Sequence, residues 1–206
     1  EIDQILNKPD IWKQIERLKQ YKCIVIAKPT KPFFDIDKLL IDQYIMSGGR
    51  IFWLVDGTNA NMNNFNGNSE FLIEENELGL SKFLSNYGAK INNDVILDEN
   101  CAKSPMLYEN KIAYFNWQYK PILSTNKNHI IGKIKDTLLT DFVSSISITE
   151  DNKCSILMNS SEKTNIKKCG EKVSLEIIKK PPVNFIDPQP TAVLLEGSFR
   201  SNYSKI

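Results

Sequence analysis

Histidine is almost absent. Of 206 residues one, His129, carries an imidazole. A lone histidine cannot build a His-based metal centre, and no cysteines or carboxylates stand around it at metal-ligand spacing. We therefore read His129 as structural or surface and expect no metal. Cysteine is scarce as well, at 23, 101, 154 and 169, with no CxxC pair. Neither Cys23 nor Cys154 lies in the strand–turn–helix elbow that an exposed nucleophile needs, so thiol catalysis lacks its geometry. Both lie in apolar runs and read as small buried hydrophobes. Cys101 and Cys169 are left open as a disulfide or two thiols. The phosphate-cradling loops GxGxxG and GxxxxGK[ST] are missing. Lys28-Pro29-Thr30-Lys31-Pro32 does not replace them, because two prolines remove two backbone donors. Charge bias is missing too: 26 Lys and Arg against 25 Asp and Glu leave a formal +1, which gives no basic field for nucleic acid. No apolar run approaches the roughly 18–20 residues of a spanning helix. The chain opens at Glu1 without Met, so we expect a piece of a longer protein, and the lack of a targeting signal is silent about the parent.

What remains is ordinary globular material, 41% hydrophobic and 25% charged. Residues 22–56 organise it. Cys23-Ile24-Val25-Ile26-Ala27 and Ile51-Phe52-Trp53-Leu54-Val55 are continuous apolar runs. Such runs suit strands covered on both faces, as in a parallel sheet. Between them Ile36, Leu40 and Tyr44 recur at helical spacing, broadened by Leu39, Ile41 and Ile45. Asp35 is the expected N-cap and Gly48-Gly49 the exit. The spacing predicts a right-handed βαβ unit whose two strands are parallel neighbours, both nearly fully buried. Generalised along the chain, it predicts a three-layer α/β sandwich with a mostly parallel, Rossmann-like sheet, as one domain over residues 1–206.

The remaining elements follow in order. A helix is expected from Asn7-Lys8-Pro9-Asp10 to about Gln20, with Ile11, Ile15 and Leu18 on one face. Residues 59–68 hold six asparagines and read as a mobile polar loop. Residues 76–87 read as a helix that Gly79 weakens. Val95-Ile96-Leu97 is a short strand. Residues 111–123, with Tyr114, Phe115, Trp117 and Tyr119 before Pro121, read as extended structure at a sheet edge. Residues 144–149, 154–158 and 192–195 complete the strands, the last of them buried. No internal repeat is present.

In an open α/β sheet ligands meet the carboxyl ends of the strands. That edge collects Lys28, Thr30 and Lys31 after the first strand, and Asp56, Asn59, Asn61, Met62, Asn63, Asn64 and Phe65 after the second. Asp56 is placed to read a sugar hydroxyl or to cap the asparagine loop. The asparagines both donate and accept, which suits a neutral polar partner. Met62 and Phe65 would be its apolar anchors. Glu74-Glu75 and Asp98-Glu99 are adjacent in sequence and read as solvated charges rather than an acid–base dyad. The aromatic run offers stacking for sugars or, failing that, an edge-covering core.

Three stretches together resemble a known family. They are IAKPTKPFFDIDKLLIDQYIMSGGRIFWLVDG (residues 26–57), YGAKINNDVILD (87–98) and TAVLLEGSFRS (191–201). They are similar to the soluble region of GldG-type, gliding-motility-associated ABC transporter auxiliary proteins. The resemblance implies an extracytoplasmic domain on the periplasmic face of the inner membrane, tethered outside this fragment and working beside an ABC permease and ATPase. It also implies a class I glutamine-amidotransferase-like fold, shared with intraflagellar-transport and β-galactosidase accessory domains. The glutaminase nucleophile and histidine have no counterpart here, so the likeness covers fold and not chemistry. The resulting expectation is a non-enzymatic accessory or binding domain without cofactor, metal or nucleic-acid partner. The competing expectation is a carbohydrate-binding or carbohydrate-acting module.

Overall fold

The structure, a computed structural model, describes residues 9–108, 110–133 and 137–203. Asn7 and Lys8 of the expected first helix lie outside them. The chain enters through helix α1 (Pro9–Lys19), which buries Ile11 and Ile15. Strand β1 (Cys23–Ala27), helix α2 (Asp35–Met46) and strand β2 (Arg50–Leu54) follow. The two strands are parallel neighbours, with Cys23 opposite Arg50 and Ala27 opposite Leu54. This part of the expected βαβ unit is present, with three differences.

First, Phe34 rather than Asp35 precedes the helix, and its N–H donates to the Asp37 carboxylate at 3.0 Å. Asp35 is the first helical residue. At the other end Gly48 takes a φ of +87°, as the exit requires. Gly49 has no room for a side chain: a Cβ would sit 2.4 Å from the Tyr44 ring. Second, the buried face of α2 is centred on Leu39, Ile41, Asp42 and Tyr44, leaving Leu40 half-buried. Third, neither strand is buried on both faces. Ile26, Ile51 and Trp53 pack inward on Ile41 and its neighbours, whereas Val25, Phe52 and Leu54 face outward and are exposed. Cys23 is exposed with them.

Beyond residue 56 the expected architecture fails. Every other named strand pair is antiparallel, so the fold is not a parallel three-layer sandwich. The largest sheet is a curled half-barrel. It orders β13 (Pro190–Leu195), β10 (Cys154–Asn159), β7 (Lys111–Thr125) and β6 (Cys101–Tyr108), with β8 (Thr137–Leu139) beside β7. The other pairs are β5 (Asp94–Asp98) with β11 (Thr164–Lys168), β3 (Glu70–Leu72) with β12 (Lys172–Ser174), and β4 (Ala89–Ile91) with β9 (Ile146–Ile148).

Strand β7 shows why. Its aromatics were expected at an edge, yet it lies in the middle of the sheet. Trp117 and Tyr119 are fully buried beside Phe142, Phe65, Val95 and Leu97. Their rings lie 5.0 Å apart, and Tyr119 stacks on Phe142 at 5.5 Å. Alternate residues of one long strand thus supply a large aromatic core, which needs sheet on one side only. Strand β5 is buried throughout, but its neighbours are β11 and the backbone at Val143, which accepts from Ile96 N–H at 2.9 Å. In β5 the apolar run is buried on both faces, and that burial arises without parallel pairing. The helix expected over 76–87 shrinks to α3 (Ser81–Ser85), because Gly79 adopts a φ of +69°.

The burial of α2 sets a stability contrast. Leu39→Ala should cost about 2–5 kcal/mol, as a core truncation. Leu40→Ala should cost roughly 1 kcal/mol, for a half-buried leucine. Urea denaturation that ranks them in reverse would show that the helix face is misassigned.

Candidate functional site

The carboxyl ends of β1 and β2 hold the residues singled out in the sequence. Lys28 leaves β1 in the left-handed region, at a φ of +46°, while its N–H donates to Leu54 O at 2.7 Å. This conformation is costly for a residue with a Cβ, about 1–3 kcal/mol. It brings the Lys28 ammonium to 3.5 Å from the Asp56 carboxylate. Both groups are well exposed, so the pair contributes little to offset that cost. Close by, the Asp141 carboxyl is raised above the ordinary range by partial burial and drawn back by Lys120 and Lys28. Phe142, next in sequence, is buried at a φ of +49°. Thr30 and Lys31 are exposed.

The asparagine segment is a folded turn. Met62–Phe65 forms one turn of 3-10 helix. Asn61 Oδ1 of the side-chain amide caps it, accepting from Asn63 N–H at 2.9 Å. The Asn61 and Asn64 amides both donate to Asn59 O, and the Asn59 amide donates to the Glu74 carboxylate at 2.9 Å. Phe65 enters the aromatic core, 4.8 Å from Phe71 and 6.1 Å from Trp117. It thus anchors the turn to its own fold, whereas Met62 stays exposed. The asparagine bonds tie the segment to residue 74 and to its own backbone, while Met62, Asn63 and residues 66–68 stay exposed. Ahead of it, Gly57 passes so close to residue 92 that a Cβ would lie 2.1 Å from Asn92 O. Its N–H donates to Ser144 Oγ at 3.2 Å.

A cavity lies at the opposite end of the parallel pair. About 400 Å³ opens at the amino ends of β1 and β2, lined by Lys19, Tyr21, Lys22, Tyr44 and Arg50 with residues 47–49. Lys19 is paired with Glu16 at 2.7 Å. Tyr44 Oη donates to Tyr21 O at 2.9 Å and shapes the wall. Among the described residues no ion pair is formed by Lys22 or Arg50. This end lies opposite the carboxyl edge where open α/β sheets meet their ligands. The available signal was a cation at the start of each parallel strand.

Among the described residues three carboxylates are buried, and their own chain saturates them. Asp42 accepts from Tyr87 Oη at 2.5 Å, Ser201 Oγ at 2.6 Å and Asn202 N–H at 2.8 Å. Asp94 accepts from the hydroxyl and N–H of Ser145. Asp98, expected to be a solvated charge, is buried and accepts from Asn100 N–H and both donors of Ser161. All four cysteines are free thiols, so Cys101 and Cys169 are unbridged. His129 Nδ1 accepts from Ile131 N–H at 3.2 Å within a turn. Among the described residues no group of three or more His, Cys, Asp or Glu is placed to hold a metal ion. With Trp117 and Tyr119 enclosed, that part of the aromatic run offers no stacking surface.

The buried phenols set a pH dependence. Burial, then the Asp42 carboxylate, pushes the Tyr87 hydroxyl far above its usual range, and burial raises Tyr119 likewise. Tyr203 is pushed up to about 12 by burial and by Asp35 and Asp42. An unfolded tyrosine ionises near pH 10. Folded values above this mean stability that is complete below about pH 10 and is lost as pH rises further. Denaturation midpoints should fall between about pH 9 and about pH 11. Phenolate absorbance should show Tyr87 and Tyr119 ionising only on unfolding. Asp42→Ala should cost about 2–3 kcal/mol in urea melts, since it strands the Tyr87 and Ser201 hydroxyls without an acceptor.

A family model for an ABC-type uncharacterized transport system auxiliary protein matches residues 3–206, and the chain belongs to that family. Among curated proteins no significant match is found. A solved structure titled "mmIFT52 N-terminal domain" is similar at 16% identity, over 76% of this chain and 59% of that chain, with a TM-score of 0.49.

Proposed function

Taking that membership as the premise, we propose that the chain is a non-enzymatic accessory domain of an ABC-type transport complex. It is held on the periplasmic face of the inner membrane and works beside the permease and ATPase. The observation that carries this reading is the family match over residues 3–206. The chemistry of the chain supports it. Asp42, Asp94 and Asp98 are saturated by internal donors, and the Tyr87 phenol is raised far from its working range. Neither set presents an acid–base pair to the cavity, whose charged lining is cationic. The assignment to a gliding-motility complex of the GldG type rests on the similar stretches at 26–57, 87–98 and 191–201.

Affinity purification of the tagged full chain from detergent-extracted membranes tests the reading. Permease and ATPase subunits should be retained, and protease added outside the inner membrane should cleave the domain. A chain that elutes without transporter subunits, or resists protease until the cells are lysed, overturns it.

A further inference from the structure

The outer face of the parallel pair is apolar and uncovered. Val25 and Phe52 sit opposite each other in register and are 59% and 55% exposed. One row on, Ala27 is opposite Leu54, which is 47% exposed. A parallel pair is normally covered on both faces, because each crossover places a helix on one of them. Here α2 covers the inner face, and among the described residues nothing covers the outer one. The amino-end row pairs Cys23 with Arg50, and Arg50 lies where this face meets the cationic cavity lined by Lys22.

From these observations we infer that a partner's amphipathic helix lies across this face, with an apolar stripe on Val25, Phe52 and Leu54. At one end it carries carboxylates that meet Arg50 and Lys22. The dimensions agree. A helix about 10 Å wide covers two strands spaced about 4.8 Å apart. Rows about 6.6 Å apart along a strand match roughly one helical turn of about 5.4 Å. The charge pattern selects the sign of the partner: among the described residues the cations Lys22 and Arg50 form no ion pair at the amino end, nor does Lys31 at the carboxyl end, where Lys28 meets Asp56. The inference goes beyond the proposed transport role, since it depends only on the bare face and its cations.

Photocrosslinking tests it in cells that make the full chain. Phe52→p-benzoylphenylalanine should give an adduct that maps to an amphipathic partner segment containing Asp or Glu. Val183, exposed but outside this sheet, carries the same probe as a control and should not give that adduct. Arg50→Glu should lower the yield on the order of tenfold, with Lys22→Glu as a second reversal. Changing the mapped carboxylate to Lys should restore it. Adducts to lipid, to a second copy of the chain, at the Val183 level, or indifferent to both charge reversals overturn the inference. An acidic helix from a protein outside the transport complex would keep this inference and remove the preceding one.

Discussion

A carboxylate withdrawn from water must be met by donors, and Asp42 is met by three from two distant parts of the chain. Tyr87 follows α3, while Ser201 and Asn202 come after the last strand. Their convergence on one side chain of α2 ties the crossover helix to the beginning and the end of the β-rich region. The apolar cluster around Ile41, Phe83 and Tyr87 fills in around that clamp, with Leu195, Phe199 and Tyr203 packed on it. Tyr87 meets Phe83 and Phe199 edge-on, at 5.3 and 5.7 Å, so its hydroxyl and its ring serve different neighbours.

The rest of the chain solves burial differently. A parallel pair needs help on both faces, while antiparallel strands can keep one face in water. Around β7 the second solution prevails: the aromatic cluster fills one side and the sheet curls over it. The two solutions meet at Gly57. There the chain leaving β2 passes against Asn92 and Ser144, too close for any side chain.

Local signals were legible where they were strong. The two apolar runs and the helix between them predicted a parallel pair, and Val95-Ile96-Leu97 predicted a strand. What failed was extrapolation. Continuous hydrophobicity suggests burial on both faces, yet Val25 and Phe52 are exposed, because among the described residues helix α2 covers one face and nothing covers the other. Strand pairing is non-local, and one βαβ unit says nothing of how β5, β7 and β10 will pair. Phe65 follows a related logic. Six asparagines suggested solvent, whereas one phenylalanine and one Asx cap were enough to dock the turn. The family resemblance reached the transport class from sequence, while the site remained obscure, since Lys22 and Arg50 are unremarkable until register places them together.

The clamp on Asp42 also has a duration. Ser201 lies 159 residues after it in sequence, so at synthesis rates of about 5–20 residues per second the carboxylate waits roughly 8–32 s for that partner. During this interval α2 cannot close its interior without leaving a charge short of donors. Until residues 201 and 202 emerge, closing the crossover unit would leave the Asp42 carboxylate without two of its donors. Arrival of residues 201 and 202, rather than collapse of the first unit, supplies the last of these donors.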